Sequence, residues 1–273
     1  MNPKTLLDEH KVLPKRSLGQ NFIHDPNTLD KIVETAALTK ADTVLEIGPG
    51  TGAMTTRLAE VAGRVIAVEL DQRLQPVLDD VLAPYPNAAV VYQDILTVNL
   101  PQLMESEPYT VVANVPYYIT SAILKHLLEN PHPPRRLVIT MQQEVAERLI
   151  AKPNDMSILT VSVQFFGQPR IAMRLNANVF WPKPDVDSAV VIIDTYDKPP
   201  VDVTDTKRFF RVVKAGFGQK RKQLKNALGS GLALNGEQTT TLCQIAGIDP
   251  TRRAETLTLE EWAALTRATA QFL

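Results

Sequence analysis

The segment Val44-Leu45-Glu46-Ile47-Gly48-Pro49-Gly50-Thr51-Gly52 passes from a short apolar run into a helical pattern beginning at Ala53, through a turn with three glycines in five residues. Glycine tolerates positive φ and lets a ligand approach the backbone closely. A strand, a glycine turn and a helix in this order form the first unit of an α/β sheet, where ligands sit at the carboxyl ends of the strands. The following residues keep the alternation. Thr43–Ile47, Arg64–Glu69, Ala89–Tyr92, Tyr109–Ala113 and Leu137–Met141 read as strands, and Ala53–Ala62, Gln72–Leu82, Thr120–Glu129 and Gln143–Ile150 as helices. Such alternation predicts a parallel sheet covered by helices. The run Ser157–Phe166 fits either element, and Ile171–Leu175 with Ala189–Asp194 suit two late strands pairing at the sheet edge.

A break follows at Asp197-Lys198-Pro199-Pro200-Val201-Asp202, where adjacent prolines disfavour both helix and central strand. A boundary there divides the chain into an α/β domain, 1–198, and a helical domain, 199–273. The latter is expected to hold helices over Thr204–Ala215, Gln219–Leu228, Glu237–Ala246 and Leu259–Gln271. Between Lys207 and Lys225 stand eight basic residues and no acid, so this segment carries +8 while the remainder sums to −9 within a net charge of −1. That asymmetry predicts a polyanionic partner. One cysteine, Cys243, excludes an internal disulfide and reads as core, as does Trp262. The four histidines lack metal-ligand spacing, so no metal is expected. Neither a membrane span nor a secretory h-region is readable, which makes the cytoplasm the expected address.

The glycine loop alone suits any nucleotide-type cofactor, since Gly48-x-Gly50-x-x-Ala53 also satisfies the dinucleotide pattern. Glu69 ends the second strand 21 residues after Gly48, where an acid accepts from both ribose hydroxyls of an adenosine. NAD and S-adenosylmethionine both fit. Two acids separate them: Glu46, ahead of the glycines, suits a cationic ligand better than a pyrophosphate, and Asp94, after the third strand, can accept from the adenine amine of the cofactor or cap a helix. No hydride-transfer group is placed near the loop, which disfavours a dehydrogenase.

Asn114-Val115-Pro116-Tyr117 follows the fourth strand. An adenine amine is a poor nucleophile because its lone pair is delocalised into the ring. Acceptors that hold its two hydrogens turn the lone pair toward an electrophile. The Asn114 side-chain carbonyl and the Val115 backbone carbonyl are the candidate acceptors, Pro116 fixes the turn, and Tyr117 offers a stacking ring. Phe180, ahead of Trp181-Pro182-Lys183-Pro184, is the candidate second stacking face. Because the electrophile already carries positive charge, positioning and oriented polar groups suffice, and the proton leaves to solvent.

Together these stretches resemble the ribosomal RNA small-subunit adenine dimethyltransferase family, the KsgA type. Lys15-Arg16-Ser17-Leu18-Gly19-Gln20-Asn21-Phe22 is similar to its N-terminal signature, Glu46–Gly52 and Asn114–Tyr117 to its cofactor and catalytic motifs, and Val186-Asp187-Ser188-Ala189-Val190 to its late-strand signature. Gln219–Asn226 is similar to the basic helix of its small domain, and Arg253-Ala254-Glu255-Thr256-Leu257 to its closing turn. The resemblance implies a Rossmann-like class I S-adenosylmethionine-dependent methyltransferase sheet with a small C-terminal α-helical domain. It also implies an N-terminal arm, 1–26, closing over the cofactor. The implied reaction is dimethylation of two adjacent adenosines in a hairpin loop near the 3′ end of 16S rRNA, by a monomer acting on the 30S subunit or its precursor.

The cofactor contacts so implied are Asn21, Ile23, Gly48, Glu69, Asp94 and Asn114; Asn114, Pro116 and Tyr117 form the catalytic set, and Phe180, Lys220, Arg221, Lys222 and Lys225 meet the RNA. Tyr118, Met156-Ser157-Ile158 and Asp185 depart from the family pattern around the base pocket and RNA contacts. Two rival readings stay within reach: a resistance-type methyltransferase of 23S rRNA, and a ribosome-assembly factor whose catalysis is dispensable.

Overall fold

The computed structural model describes residues 2–272; Met1 of the expected arm and Leu273 of the expected helical domain lie outside the described residues. Two compact units are present, one of residues 1–146 with 168–195, the other of 147–167 with 196–273. In the first, strands β1 (Phe22–Ile23), β2 (Thr43–Ile47), β3 (Arg64–Glu69), β4 (Ala88–Tyr92), β5 (Tyr109–Asn114), β6 (Arg136–Gln142), β7 (Gly167–Leu175), β8 (Phe180–Trp181) and β9 (Ser188–Thr195) follow in chain order. Seven of them form one sheet in the order β4-β3-β2-β5-β6-β9-β7. Strands β2 to β6 run parallel to one another, and β9 runs antiparallel to β6. The central strands read as unbroken apolar runs because both faces are covered: Val44, Leu45, Val111, Val112, Leu137 and Val138 are all fully buried.

From β2 the chain winds outward to β3 and β4, then returns to lay β5 and β6 on the other side. The order therefore reverses between β2 and β5, which opens a crevice above their carboxyl ends. The register pairs Ile47 with Ala113, so Gly48 and Asn114 leave the sheet side by side. Both motifs picked out above thus meet at the switch point.

A helix over Pro26–Ala36, absent from the sequence expectations, covers this sheet. Asp25 caps it, accepting from the Thr28 N–H at 2.8 Å, and Pro26 occupies its first turn. Its stripe Leu29, Ile32, Val33 and Ala36 joins the core that contains Val44, Val112 and Val138. The N-terminal arm begins with a helix over Pro3–Glu9 and ends in β1, which pairs antiparallel with β8, Phe22 opposite Trp181 and Ile23 opposite Phe180.

In the second unit the ambiguous run is a helix, Ile158–Phe166, started by a Ser157–Thr160 capping box. Phe165 stacks on Phe209 at 4.5 Å within a core that also holds Trp262 and Cys243, both fully buried. The division at 198/199 drawn from the prolines therefore needs correction: residues 147–167 belong with the helical unit, because Val161 and Phe165 are buried in its core. The remaining helices are Thr206–Phe217, Leu224–Leu232, Gly236–Ile245 and Leu259–Ala268. The helix expected over Gln219–Leu228 also starts later than predicted. Gln219 to Gln223 form a turn in which Lys220, Arg221 and Lys222 are exposed, since five consecutive polar residues, three of them basic, have no apolar member to bury. Among the described residues, no helix is long and apolar enough to cross a membrane.

Candidate functional site

Gly48, Gly50 and Gly52 all have positive φ, at 69°, 57° and 79°. At Gly50 a side chain is excluded as well, for a Cβ would lie 2.7 Å from the Phe22 ring. The loop arches over a cleft lined by Gly19, Gln20, Asn21, Gly48, Glu69, Asp94, Asn114, Pro116 and Tyr118, with about 690 Å³ of free space counted to its open mouth.

Glu69 is buried at the end of β3, where its Oε2 accepts from the Gly50 N–H at 3.2 Å and its Oε1 from the Asp71 N–H at 2.8 Å. Each oxygen keeps a further lone pair. Burial raises the Glu69 carboxyl above its ordinary pKa, opposed by these two backbone donors. Asp94 accepts from the Leu96 N–H at 2.9 Å through Oδ1, so the cap role and a place on the cleft wall coexist in one residue.

Ile23 does not reach this cleft; it lines a smaller adjoining pocket with Glu46, Gly48, Thr51 and Asn114. Glu46 is fully buried, and neither carboxyl oxygen has a hydrogen-bond partner. Burial pushes its carboxyl up to about 8; Glu69 adds to the shift, and the Thr55 hydroxyl, outside hydrogen-bonding geometry, opposes it. A carboxyl whose folded pKa is raised stabilises the fold fully below its unfolded value near 4.5, and that contribution is lost as pH rises toward about 8. Replacing Glu46 with Gln is expected to flatten this dependence. Melting curves of the ligand-free protein should show native and variant converging near pH 4.5, with the variant the more stable at pH 8; parallel curves would remove the assignment of a buried, uncompensated acid.

Asn114 closes β5 and donates from Nδ2 to the backbone carbonyl of Asn21 at 2.8 Å. An acceptor on that side fixes the amide orientation and leaves Oδ1 free. Tyr117 turns away from the cleft into a neighbouring groove lined by Leu13, Asn21, Gln142, Trp181 and Lys183. Its hydroxyl shares a 2.6 Å hydrogen bond with Ser188 Oγ, and burial raises its pKa, so it stays protonated at neutral pH. Gly19, Gln20 and Asn21 line both cavities; a three-residue strap from the N-terminal arm is the wall between them.

The structure thus gathers Asn21, Gly48, Glu69, Asp94, Asn114 and Pro116 on one cleft, with Ile23 beside it and Tyr117 facing the groove. Phe180 requires correction. It is 2% exposed, packed among Ile23, Leu29 and Leu175, and offers no open ring to a base in this arrangement; its pairing with Ile23 accounts for the burial. Gln20, Gln142 and Trp181 line the site without having been singled out. Trp181 had a readable signal, an aromatic beside prolines, whereas nothing local marks the two glutamines. Lys220, Arg221, Lys222 and Lys225 lie in the second unit, the first three on the exposed turn. Of the eight basic residues in that segment, only Arg208 forms an ion pair among the described residues, with Asp205 at 3.8 Å.

Comparison with known proteins matches residues 12–271 to the family described as ribosomal RNA adenine dimethylase. A ribosomal RNA small subunit methyltransferase A from Dehalococcoides mccartyi (strain CBDB1) is 41% identical over 263 residues, 96% of this chain and 90% of the relative. Its counterpart in Geobacillus sp. (strain WCH70) is 43% identical over 277 residues, 97% and 94% respectively. Among solved structures, the 23S rRNA methyltransferase ErmE shares 29% identity and a TM-score of 0.73 across 92% of this chain and all of its own.

Proposed function

The chain belongs to the ribosomal RNA adenine dimethylase family, and from that membership we propose that it dimethylates the exocyclic amines of two adjacent adenosines in a hairpin loop near the 3′ end of 16S rRNA. It does so as a cytoplasmic monomer, on the 30S subunit or its precursor, with S-adenosylmethionine as methyl donor. The observation that carries this reading is Asn114, which lines the cofactor cleft with its Oδ1 free and whose amide is anchored on the carbonyl of Asn21, a residue shared by that cleft and the Tyr117 groove.

The cleft fits the proposed cofactor on its own chemistry. Glu69 has spare lone pairs for two ribose hydroxyls, and Asp94 Oδ2 is uncommitted toward an adenine amine. Glu46, buried and without a partner, suits a ligand with positive charge, since a cation lowers the cost of ionising a buried acid. Asn21, Ile23 and Gly48 complete the proposed contacts. S-adenosylmethionine, when bound, supplies a methyl group on a positively charged sulfur.

The protein's own residues then act on the adenine. It must leave its stack, at a cost of a few kcal/mol that is least in a loop, and stacking on Tyr117 returns roughly 1–3 kcal/mol. Ser188 holds the Tyr117 ring in place. Asn114 Oδ1 and the Val115 carbonyl take the two amine hydrogens and turn the lone pair out of conjugation, Pro116 keeps the two acceptors in one turn, and the proton is released to solvent. Neither Tyr117, held protonated, nor any other side chain in the groove has to act as a strong base.

Incubation with labelled S-adenosylmethionine and unmethylated 30S subunits, with 50S subunits in parallel, tests the reading. Dimethyladenosine is expected in 16S rRNA and not in 23S rRNA. Label confined to 23S rRNA would transfer the chain to the resistance-type activity, and 30S binding without label would make it an assembly factor.

A further inference from the structure

The strap between the two cavities is held by two sets of hydrogen bonds, one reaching Glu69 and the other Asn114, that meet at the Gln20–Asn21 peptide. Glu69 Oε1 accepts from the Asp71 N–H at 2.8 Å. Asp71 Oδ2 accepts from Gln20 Nε2 at 2.9 Å, and Gln20 Oε1 accepts from the Lys15 N–H at 2.7 Å. One residue on, the Asn21 carbonyl accepts from Asn114 Nδ2 at 2.8 Å, while Asn21 Nδ2 donates to the Gly19 carbonyl at 3.2 Å. Both ends of the Gln20 amide are therefore used. Asp71 is 5% exposed, and the Arg73 guanidinium, with Gln20 adding to it, holds its carboxyl below the usual range. It is an ionised acceptor, and Gln20 is its donor.

We propose that Gln20 is a positioning residue for Asn114: by tying the strap to Asp71, beside the ribose acceptor Glu69, it holds the Asn21 carbonyl on which the Asn114 amide is oriented. The proposal rests on Asn114 being the amine acceptor. Without Gln20 the strap keeps its β1 pairing at Phe22 and Ile23 but loses its only side-chain hydrogen bond to the turn after β3 among the described residues. The Asn114 amide is then free to rotate, and an amide turned end for end presents a donor to the adenine amine, which repels it.

A donor–acceptor swap tests the coupling. Gln20→Glu sets a second carboxylate against Asp71 across the 2.9 Å contact and is expected to slow single-turnover methylation on the order of 10²-fold, with the cofactor KM moving less. Gln20→Ala, which introduces no charge, should act in the same direction. Asp71 Oδ2 also accepts from Arg73 Nη2 at 2.6 Å, so the swap is made with Arg73→Ala: adding Asp71→Asn and Arg73→Ala to Gln20→Glu reverses donor and acceptor without setting the new amide against a guanidinium, and should return the rate close to that of Arg73→Ala alone. Exchange of the Asn114 side-chain amide protons, followed by NMR, should report protection in the native protein, in Arg73→Ala and in the triple variant, and its loss in Gln20→Glu. Unchanged protection and rate in both Gln20 single variants, or a triple variant no better than Gln20→Glu, would overturn the proposal. If the native protein fails to methylate rRNA while Asn114 protection still follows the swap, the coupling stands and the proposed reaction falls.

Discussion

Asn114→Ala is expected to reduce methyl transfer on the order of 10²- to 10³-fold, the usual loss when one oriented polar group facing developing charge is removed. The substitution deletes both the acceptor Oδ1 and the Nδ2 that anchors the strap carbonyl. Rate should suffer far more than affinity. The +8 segment that would hold RNA lies in the other unit, and Glu69, Glu46 and Asp94 remain to hold the cofactor. Single-turnover rates at saturating 30S subunits and S-adenosylmethionine, alongside filter binding of RNA, separate the two effects. Unchanged turnover would remove this account of amine activation and leave the Val115 carbonyl to be examined in its place.

Asn114 was legible in the sequence because three constraints coincide: it ends an apolar strand, precedes a proline turn, and belongs to the strand–helix alternation that the glycine loop opens. The central strands were legible for a simpler reason. Burial on both faces leaves runs such as Val65-Ile66-Ala67-Val68 with no polar member, and such runs bounded by turn residues have few alternatives. The helix over Pro26–Ala36 was legible too, through a cap at Asp25-Pro26 and apolar residues Leu29, Ile32, Val33 and Ala36 at helical spacing, signals that the expectations above left unused.

Elsewhere tertiary contacts overrode local preference. Gly229-Ser230-Gly231 reads as a turn, yet the helix Leu224–Leu232 runs through it. At Gly231 a Cβ would lie 2.5 Å from that of Ala215, so glycine there permits a close helix crossing that compensates for its poor helix propensity. The run Ser157–Phe166 was undecidable by period because both its faces are largely apolar; the capping box at Ser157 is the one local sign of its state. Gln20 and Asp71 lie 51 residues apart, and no spacing rule connects them. The same holds for the burial of Phe180, which depends on a pairing with Ile23 that only the folded arm supplies.

The exposed basic turn yields the second large effect. Replacing Lys220, Arg221, Lys222 and Lys225 with Gln removes four of the eight positive charges in the segment. Each lysine or arginine that neutralises a phosphate contributes about 0.7–0.9 to the slope of log affinity against log salt, so four such contacts give a slope shallower by about 3 and a loss of about 10³-fold near 0.1 M salt. The loss should shrink as salt is raised, because the native protein surrenders the same counterion release. A turn suits this work because its side chains project without burying apolar stems, and the fold loses little with them: Leu224, Ala227 and Leu228 hold the adjoining helix in the core. Titrating the 30S subunit with native and variant protein at several salt concentrations, with cofactor affinity measured in parallel, decides the matter. Parallel slopes would reduce the turn to a solvated surface and shift RNA recognition onto the Tyr117 groove. A shallower slope with unchanged cofactor affinity would assign binding and chemistry to separate units of the chain.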